Sequence, residues 1–393
     1  MIRILNHQEA KALVEEHGGI RPASRATGYS FGAIRRALLR SDEAPKEAAD
    51  DMLSEEDAEQ LRSDMANVQA TNARLFKQLK EARDRTNALV QATVSASRDA
   101  VFSGGYTAPT IYVPSMVNNN NMPEAVLWHM TDFQGGKETT SYNRDVMRER
   151  VLRFVKKAIS VTQVQRADHP VDELVIALGG DMIEGLFNFP TQPYEIDGTI
   201  FVQYVSVARL LVDVVKIALV NYPTVKVVAE WGNHGRIGSK RDAVPRSDNV
   251  DRMVYELARQ LLQDEERLTW EDCPEDIQRI EVGNYRALLI HGDEVGRMGY
   301  ASRNTIANHV TRWRSGSYPW DFTDVYVGHY HQHAEDPLAS GRGAIFYTGS
   351  TESDNRYALV GMAASATPTQ RLHFIDKERG RVTAQYKMFV DED

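Results

Sequence analysis

The stretch Leu174-Val175-Ile176-Ala177-Leu178-Gly179-Gly180-Asp181 constrains this chain more than any other. A short run of Val, Ile and Leu stopped by glycines is the pattern of a strand buried on both faces, as in an α/β sheet. An aspartate follows the glycines, so a carboxylate stands at the carboxyl end of that strand, where open α/β sheets place their ligands. Four more apolar runs close in a similar way: on Asp132-Phe133-Gln134, Gly232-Asn233-His234, His291-Gly292-Asp293 and Gly328-His329-Tyr330-His331. One Gly-Asp pair or one histidine means little, since either is common at a strand end for structural reasons. Five such endings together offer carboxylate, amide and imidazole donors, the set that suits a pair of divalent cations.

Between the endings lie helical stretches at 144–163, 202–219, 250–266 and 302–313. Strands alternating with helices predict an α/β domain of βα units around mixed sheets, here covering 124–393. A chain of 393 residues has room for two or three domains, and 42% hydrophobic with 26% charged residues is ordinary for a chain that buries a core. No apolar run approaches the length of a membrane span, and the first residues lack the apolar segment of a signal peptide. Cys273 is the single cysteine, read as a small hydrophobe, so no disulfide forms within the chain. A cytoplasmic setting with no membrane partner is the expectation.

The net charge of −9 is unevenly spread. Residues 1–40 hold seven basic residues against three acidic ones, a balance of +4 that leaves −13 on the remainder. Residues 8–17 read as a helix ended by Gly18-Gly19; a second short helix with Pro22 in its first turn stops at Gly28. Ser30 can cap a third, with Ile34 and Leu38 inward and Arg35, Arg36 and Arg40 outward. That pattern resembles a helix-turn-helix whose three arginines contact DNA, with a three-helix interaction domain as the alternative. Residues 41–60 carry nine acidic residues and one lysine, an acidic linker. Over 61–100 the spacing changes to heptads: Leu61, Val68, Leu75, Ala82 and Leu89, with Met65, Asn72, Leu79 and Thr86 between them. A coiled-coil homodimer is expected, the polar Asn72 helping to fix its register, and a single helix packed on the catalytic domain is the competing reading. Residues 101–123, with Pro109, Pro114, Pro123 and four consecutive asparagines, read as an irregular linker.

The ordered set D-x-Q, GD-x-x-x-G, GNH, HGD and GH-x-H resembles the calcineurin-like metallophosphoesterases, and within them the SbcD-type DNA nuclease subunits. His129 three residues before Asp132, Gly136-Lys137 after Gln134, and Tyr347-Thr348-Gly349-Ser350 add to the likeness, which runs from about Val126 to about Glu352. The resemblance implies a four-layer sandwich, two mixed sheets between helices, and a metal-dependent phosphodiesterase, foremost a DNA nuclease. It implies Asp132, Gln134, Asp181 and His331 around one divalent ion, and Asp181, Asn233, His291 and His329 around the other, with Asp181 bridging. Mn²⁺ is expected, with Fe, Zn, Ni or Mg also suited. His234 would protonate the leaving oxygen. Two departures stand out. The family's usual D-x-H is D-x-Q here, and Gly235 follows GNH where a carboxylate to orient the catalytic histidine is usual. His333 is a spare supporting group near the last motif or a surface histidine.

Two stretches bear on substrate. Arg236, Lys240, Arg241 and Arg246 follow His234 in one loop, and Arg297, Tyr300, Arg303, Arg312, Trp313 and Arg314 follow His291. Basic residues among aromatics suit a phosphate backbone with stacked bases, or form a solvated face. Residues 186–202, with Phe187, Phe189, Pro190 and Tyr194, read as a loop over the site. No G-x-x-x-x-G-K-[ST] is present, so an ATP-driven step would need a separate ATPase subunit. A nucleotide phosphodiesterase or phosphatase with a regulatory N-terminal domain, and a catalytically impaired DNA-binding regulator, are the rival readings.

Overall fold

The computed structural model describes residues 7–17, 20–27, 29, 34, 37, 55–103, 122–186, 192–238, 245–271, 275–295, 302–338, 342–354 and 367–391. They fall into two compact units, Met1–Asn87 and Ala88–Asp393. In the first, helices α1 (His7–His17) and α2 (Ile20–Thr27) share a small core of Ala10, Ala23, Ile34 and Ala37, covered by Leu13, Val14 and Tyr29. Arg35, Arg36, Arg40, most of the expected third helix, residues 41–54 and Cys273 lie outside the described residues.

Helix α3 (Glu55–Ser103) is one uninterrupted run of 49 residues that includes the heptad stretch. Leu75 and Leu89, two of the heptad positions, are 52% and 67% exposed. Its last turns behave differently. Val90, Val94 and Ser97, spaced four and three, face the core of the second unit, with Val94 and Ser97 buried.

The second unit begins β1 (Glu124–Met130), α4 (Arg144–Gln165), β2 (Val171–Gly179), α5 (Ile200–Asn221), β3 (Thr224–Glu230), α6 (Val250–Leu261), β4 (Leu268–Trp270). Asn143, Thr199 and Asn249 cap the three helices through side-chain oxygens that accept first-turn N–H groups. Strands β1 to β4 are parallel neighbours. Near the chain end β10 (Thr369–Asp376) and β11 (Arg381–Phe389) return antiparallel beside β1, giving the order β11-β10-β1-β2-β3-β4. The other sheet holds β5 (Gln278–Val282), β6 (Tyr285–Ile290), β7 (Asp324–Val327), β8 (Ala334–Pro337) and β9 (Ala344–Tyr347) in the order β5-β6-β7-β9-β8. Its middle strands β6, β7 and β9 are parallel and its two edges antiparallel.

Alternation along the strands builds the layers. On β1 and β2, Val126, Trp128, Met130, Leu174, Ile176 and Leu178 face α4, α5 and α6, where Trp128 meets Phe154 and Tyr222 edge to face at 5.8 and 5.7 Å. The intervening Ala125, Leu127, Val175 and Ala177 face the second sheet and meet Ala287, Leu289, Tyr326 and Phe346. The outer face of that sheet, with Leu288, Ile290, Val325 and Ile345, is covered by α7 (Arg303–Arg312) through Ile306 and Val310. The architecture is therefore helices, mixed sheet, mixed sheet, helix, as the sequence predicts. Among the described residues no helix is long and apolar enough to cross a membrane.

Candidate metal centre

The five motifs sit just beyond the carboxyl ends of β1, β2, β3, β6 and β7, so the parallel strands of both sheets deliver them to one end of the sandwich. Two glycines show how tightly the ends close. A Cβ on Gly232 would lie 2.0 Å from Asp181 Oδ1, and one on Gly328 would lie 2.3 Å from Thr131 Oγ1 and 2.8 Å from Asp132 Oδ2. The backbone is bent as well. Among the described residues six non-glycine residues have positive φ, and five of them are predicted ligands: Asp132, Gln134, Asp181, His329 and His331, with φ between 48° and 65°. Each such conformation costs on the order of 1 kcal/mol or more and persists only where the surroundings impose it.

Side chains converge accordingly. Asp181, His291 and His329 bring ligand atoms within 4.8 Å of one another, and His291 Nε2 is 3.1 Å from Asp181 Oδ2. On the other side His331 Nε2 is 3.2 Å from Asp132 Oδ1. Gln134 lies between the two groups, its Nε2 3.4 Å from both Asp181 Oδ2 and His331 Nε2. Gln134 Oε1 and Asn233 Oδ1 are buried with no hydrogen-bond partner among the described residues. Carbonyl oxygens buried without donors are expensive unless something electrophilic completes them. The donor set fits a divalent pair: Asp132, Gln134, Asp181 and His331 for one ion, Asp181, Asn233, His291 and His329 for its neighbour.

The supporting contacts fix which atoms face the centre. His291 Nδ1 is held 2.8 Å from Gly179 O, and His331 Nδ1 2.5 Å from Glu352 Oε1, so in both rings Nε2 is left to face the ligands. Asp132 accepts from Thr131 Oγ1 at 2.7 Å and from His329 N at 3.0 Å. Burial works to raise the Asp181 carboxyl, but His291 and then His234 outweigh it and hold it well below the usual carboxylate range. For His329 burial dominates and pushes the imidazole down to about 4, so it is neutral and able to coordinate.

His234 points its ring at the same centre, Nε2 3.9 Å from Asp181 Oδ2. The carboxylate that Gly235 fails to supply comes from elsewhere in the chain: Glu184 Oε2 is 3.3 Å and its backbone O 2.9 Å from His234 Nδ1. Burial would lower His234, yet Asp181 and Glu184 together outweigh it and lift the imidazole to about 9. Glu184 is itself steadied by Lys137, whose Nζ is 3.4 Å from Oε1 and 2.7 Å from Glu195 Oε2. Sequence reading passes over Glu184; its signal is the spacing, three residues after Asp181. It also passes over Glu352, 21 residues from the histidine it orients.

The remaining predicted residues are placed less centrally. Arg236 and Arg246 both grip Asp293, at 2.5 and 2.6 Å, so Arg236 is engaged by a carboxylate of its own chain. Glu294 accepts the N–H of His291 at 2.8 Å and of Gly292 at 2.6 Å, shaping that loop. Arg303 pairs with Asp336, and Arg314 donates to Arg342 O. Burial and Arg371 push His333 down to about 3, which leaves it neutral. Lys240, Arg241, Arg297, Tyr300, Phe187, Phe189 and Pro190 lie outside the described residues.

No protein-family model matches this chain. A curated relative, the SPbeta prophage-derived uncharacterized protein YonJ of Bacillus subtilis, is 21% identical over 338 residues, covering 83% of this chain and 78% of its own. Solved structures align at a distance. The zinc complex of Vps29 from Entamoeba histolytica (12% identity, TM-score 0.30) covers 67% of this chain and 98% of its own. The E. coli phosphoesterase YfcE (16% identity, TM-score 0.30) covers 67% and 99%.

Proposed function

We propose that this chain is a metal-dependent phosphodiesterase of the calcineurin-like kind, and that its substrate is nucleic acid. The observation that carries the reading is the concentration of left-handed non-glycine backbone on the ligand positions, five of them around one cluster. Backbone strain imposed to gather carboxylate, amide and imidazole donors at strand ends is a functional arrangement rather than a folding one. Two divalent ions in that cluster would supply positive charge for the phosphate oxygens and lower the pKa of a water.

The chain's own residues do the rest. Asp181, between the two ligand groups, holds them at a fixed separation. His234, kept protonated by Asp181 and Glu184, donates its Nε2 proton to the ester oxygen as the phosphorus–oxygen bond breaks and the water oxygen becomes bonded to phosphorus. With Glu184 filling the place left by Gly235, the departure at that position does not argue for an inactive regulator. The basic balance of residues 1–40 supports DNA as substrate, and the exposed Leu75 and Leu89 support a homodimer along α3.

Replacing Asp181 by Asn tests the centre, since a neutral amide does not bridge two cations. Bound metal in the purified protein should fall, and hydrolysis of bis-p-nitrophenyl phosphate with Mn²⁺ should be abolished. Unchanged metal content with full activity would remove the assignment. In the wild type, linear duplex DNA, single-stranded DNA and mononucleotides compared under the same conditions separate nuclease from nucleotide hydrolase.

A further inference from the structure

The turn that carries Tyr194 is held beside His234 through Gln192. Gln192–Tyr194 form a single 3₁₀ turn fastened on both sides. On one side the fully buried Gln192 donates its amide to Glu184 O at 2.6 Å, and that nitrogen also lies 3.4 Å from His234 Nδ1. On the other side Glu195 pairs with Lys137 at 2.7 Å, its backbone O accepts Glu138 N at 2.8 Å, and Asp197 N reaches Gly136 O at 2.9 Å. Asp197 in turn accepts from Arg144 N at 2.8 Å. Between these fixed points Tyr194 stands 88% exposed, the most open of the large apolar side chains described.

We infer that Tyr194 is a stacking platform for a nucleobase of the substrate, on the leaving-group side of the centre. Tyr194 is two residues from the side chain that touches the proton-donating ring, about 4 Å along a 3₁₀ axis. On the proposed mechanism His234 serves the leaving oxygen, and this turn is held against His234 through Gln192, which places it on the side of the group attached to that oxygen. The backbone beneath the ring is fastened on both sides, and the solvent-exposed ring offers a π-face that every base can cover. No hydrogen-bonding pattern is needed, so the subsite selects for a base without selecting which one. This inference rests on the phosphodiesterase reading for its placement, though base binding is measurable without turnover.

The test is binding of two single-stranded oligonucleotides of equal length and charge, one with bases and one abasic, to full-length protein at moderate salt. Wild type should prefer the base-bearing strand by about ten-fold, the size of one stacking contact. Tyr194→Ala should lose that preference and leave the abasic strand unaffected, while Tyr194→Trp should keep it. A free mononucleotide that competes as well as the oligonucleotide, base for base, would make the ligand a nucleotide rather than a strand and still support the platform. Equal preference in wild type and Tyr194→Ala overturns it. Should wild type hydrolyse no phosphodiester with Mn²⁺ yet show the Tyr194-dependent preference, the catalytic reading fails and the base site stands.

Discussion

At the scale of single residues, His234 and Glu184 form the pair whose behaviour is most open to measurement. Glu184 approaches Nδ1 both with its carboxylate and with its backbone oxygen, so the ring is oriented and Nε2 is the nitrogen that would carry the proton of the proposed general acid. A general acid is active while protonated, so the rate falls as pH rises through its pKa. The raised value of about 9 would therefore keep His234 competent as the proposed acid across neutral pH. Glu184→Gln removes one of the two charges that raise it. The alkaline limb of kcat against pH should move to lower pH, and the maximal rate should drop about ten- to a hundred-fold, the usual cost of losing an orienting partner. A pH–rate profile of both proteins on bis-p-nitrophenyl phosphate decides it. An unmoved alkaline limb would mean that Glu184 serves packing alone. Gln134 belongs at this scale too. Its amide end already touches both ligand groups, so whichever way the amide is turned it links them, more weakly than an imidazole would.

Among elements, α6 does more than cover a sheet. Asp251, in its first turn and fully buried, accepts Met182 N at 3.1 Å, Ile183 N at 3.3 Å and Gly232 N at 2.9 Å. One carboxylate thus fastens the loop after β2 to the loop after β3, the two that carry Asp181 and Asn233. Asp251→Ala leaves three buried N–H groups without their acceptor, a loss on the order of 3 kcal/mol. Thermal unfolding should fall accordingly, and retained metal should fall with it; a stable variant with full metal content would show that the loops hold themselves. None of this is legible in the sequence, where Asp251 is one more acidic residue in a first helical turn. The strands and helices are legible, because a buried parallel strand leaves an apolar run and an amphipathic helix a period of 3.6, both written locally. The ligand positions are legible because the turns that follow those strands admit few residues. Contacts between distant segments leave no local mark: Glu352 beside His331, Arg236 and Arg246 on Asp293. The end of α3 is hidden for another reason. Its docking stripe Val90-Val94-Ser97 is offset by one residue, about 100° of rotation, from the heptad positions before it. A seven-residue template runs past that change without registering it.

For the whole molecule, the offset on α3 means that the proposed dimerisation and the attachment to the second unit would use different faces of one helix. The exposed seam residues Leu75 and Leu89 remain available to a second copy, while Val94 is already buried. Cutting the chain near residue 121 would uncover the surface that Val94 occupies. A chain beginning at Ala88 keeps that contact and coincides with the start of the second compact unit. Such a chain should be monomeric by light scattering and the full-length protein dimeric, and it should hydrolyse bis-p-nitrophenyl phosphate at the same rate per site. On long duplex DNA it should be slower at moderate salt through a raised apparent KM. On the nuclease proposal it lacks basic N-terminal residues whose phosphate contacts a dimer would double, and linkage would raise the local concentration of DNA at the catalytic sites. The advantage of the full-length protein should shrink as salt rises, since each phosphate contact steepens the salt dependence by about one unit of log K per log salt. Equal duplex cleavage by the two proteins across salt concentrations would mean that the N-terminal region does not deliver substrate. The nucleotide-hydrolase reading would then move ahead of the nuclease.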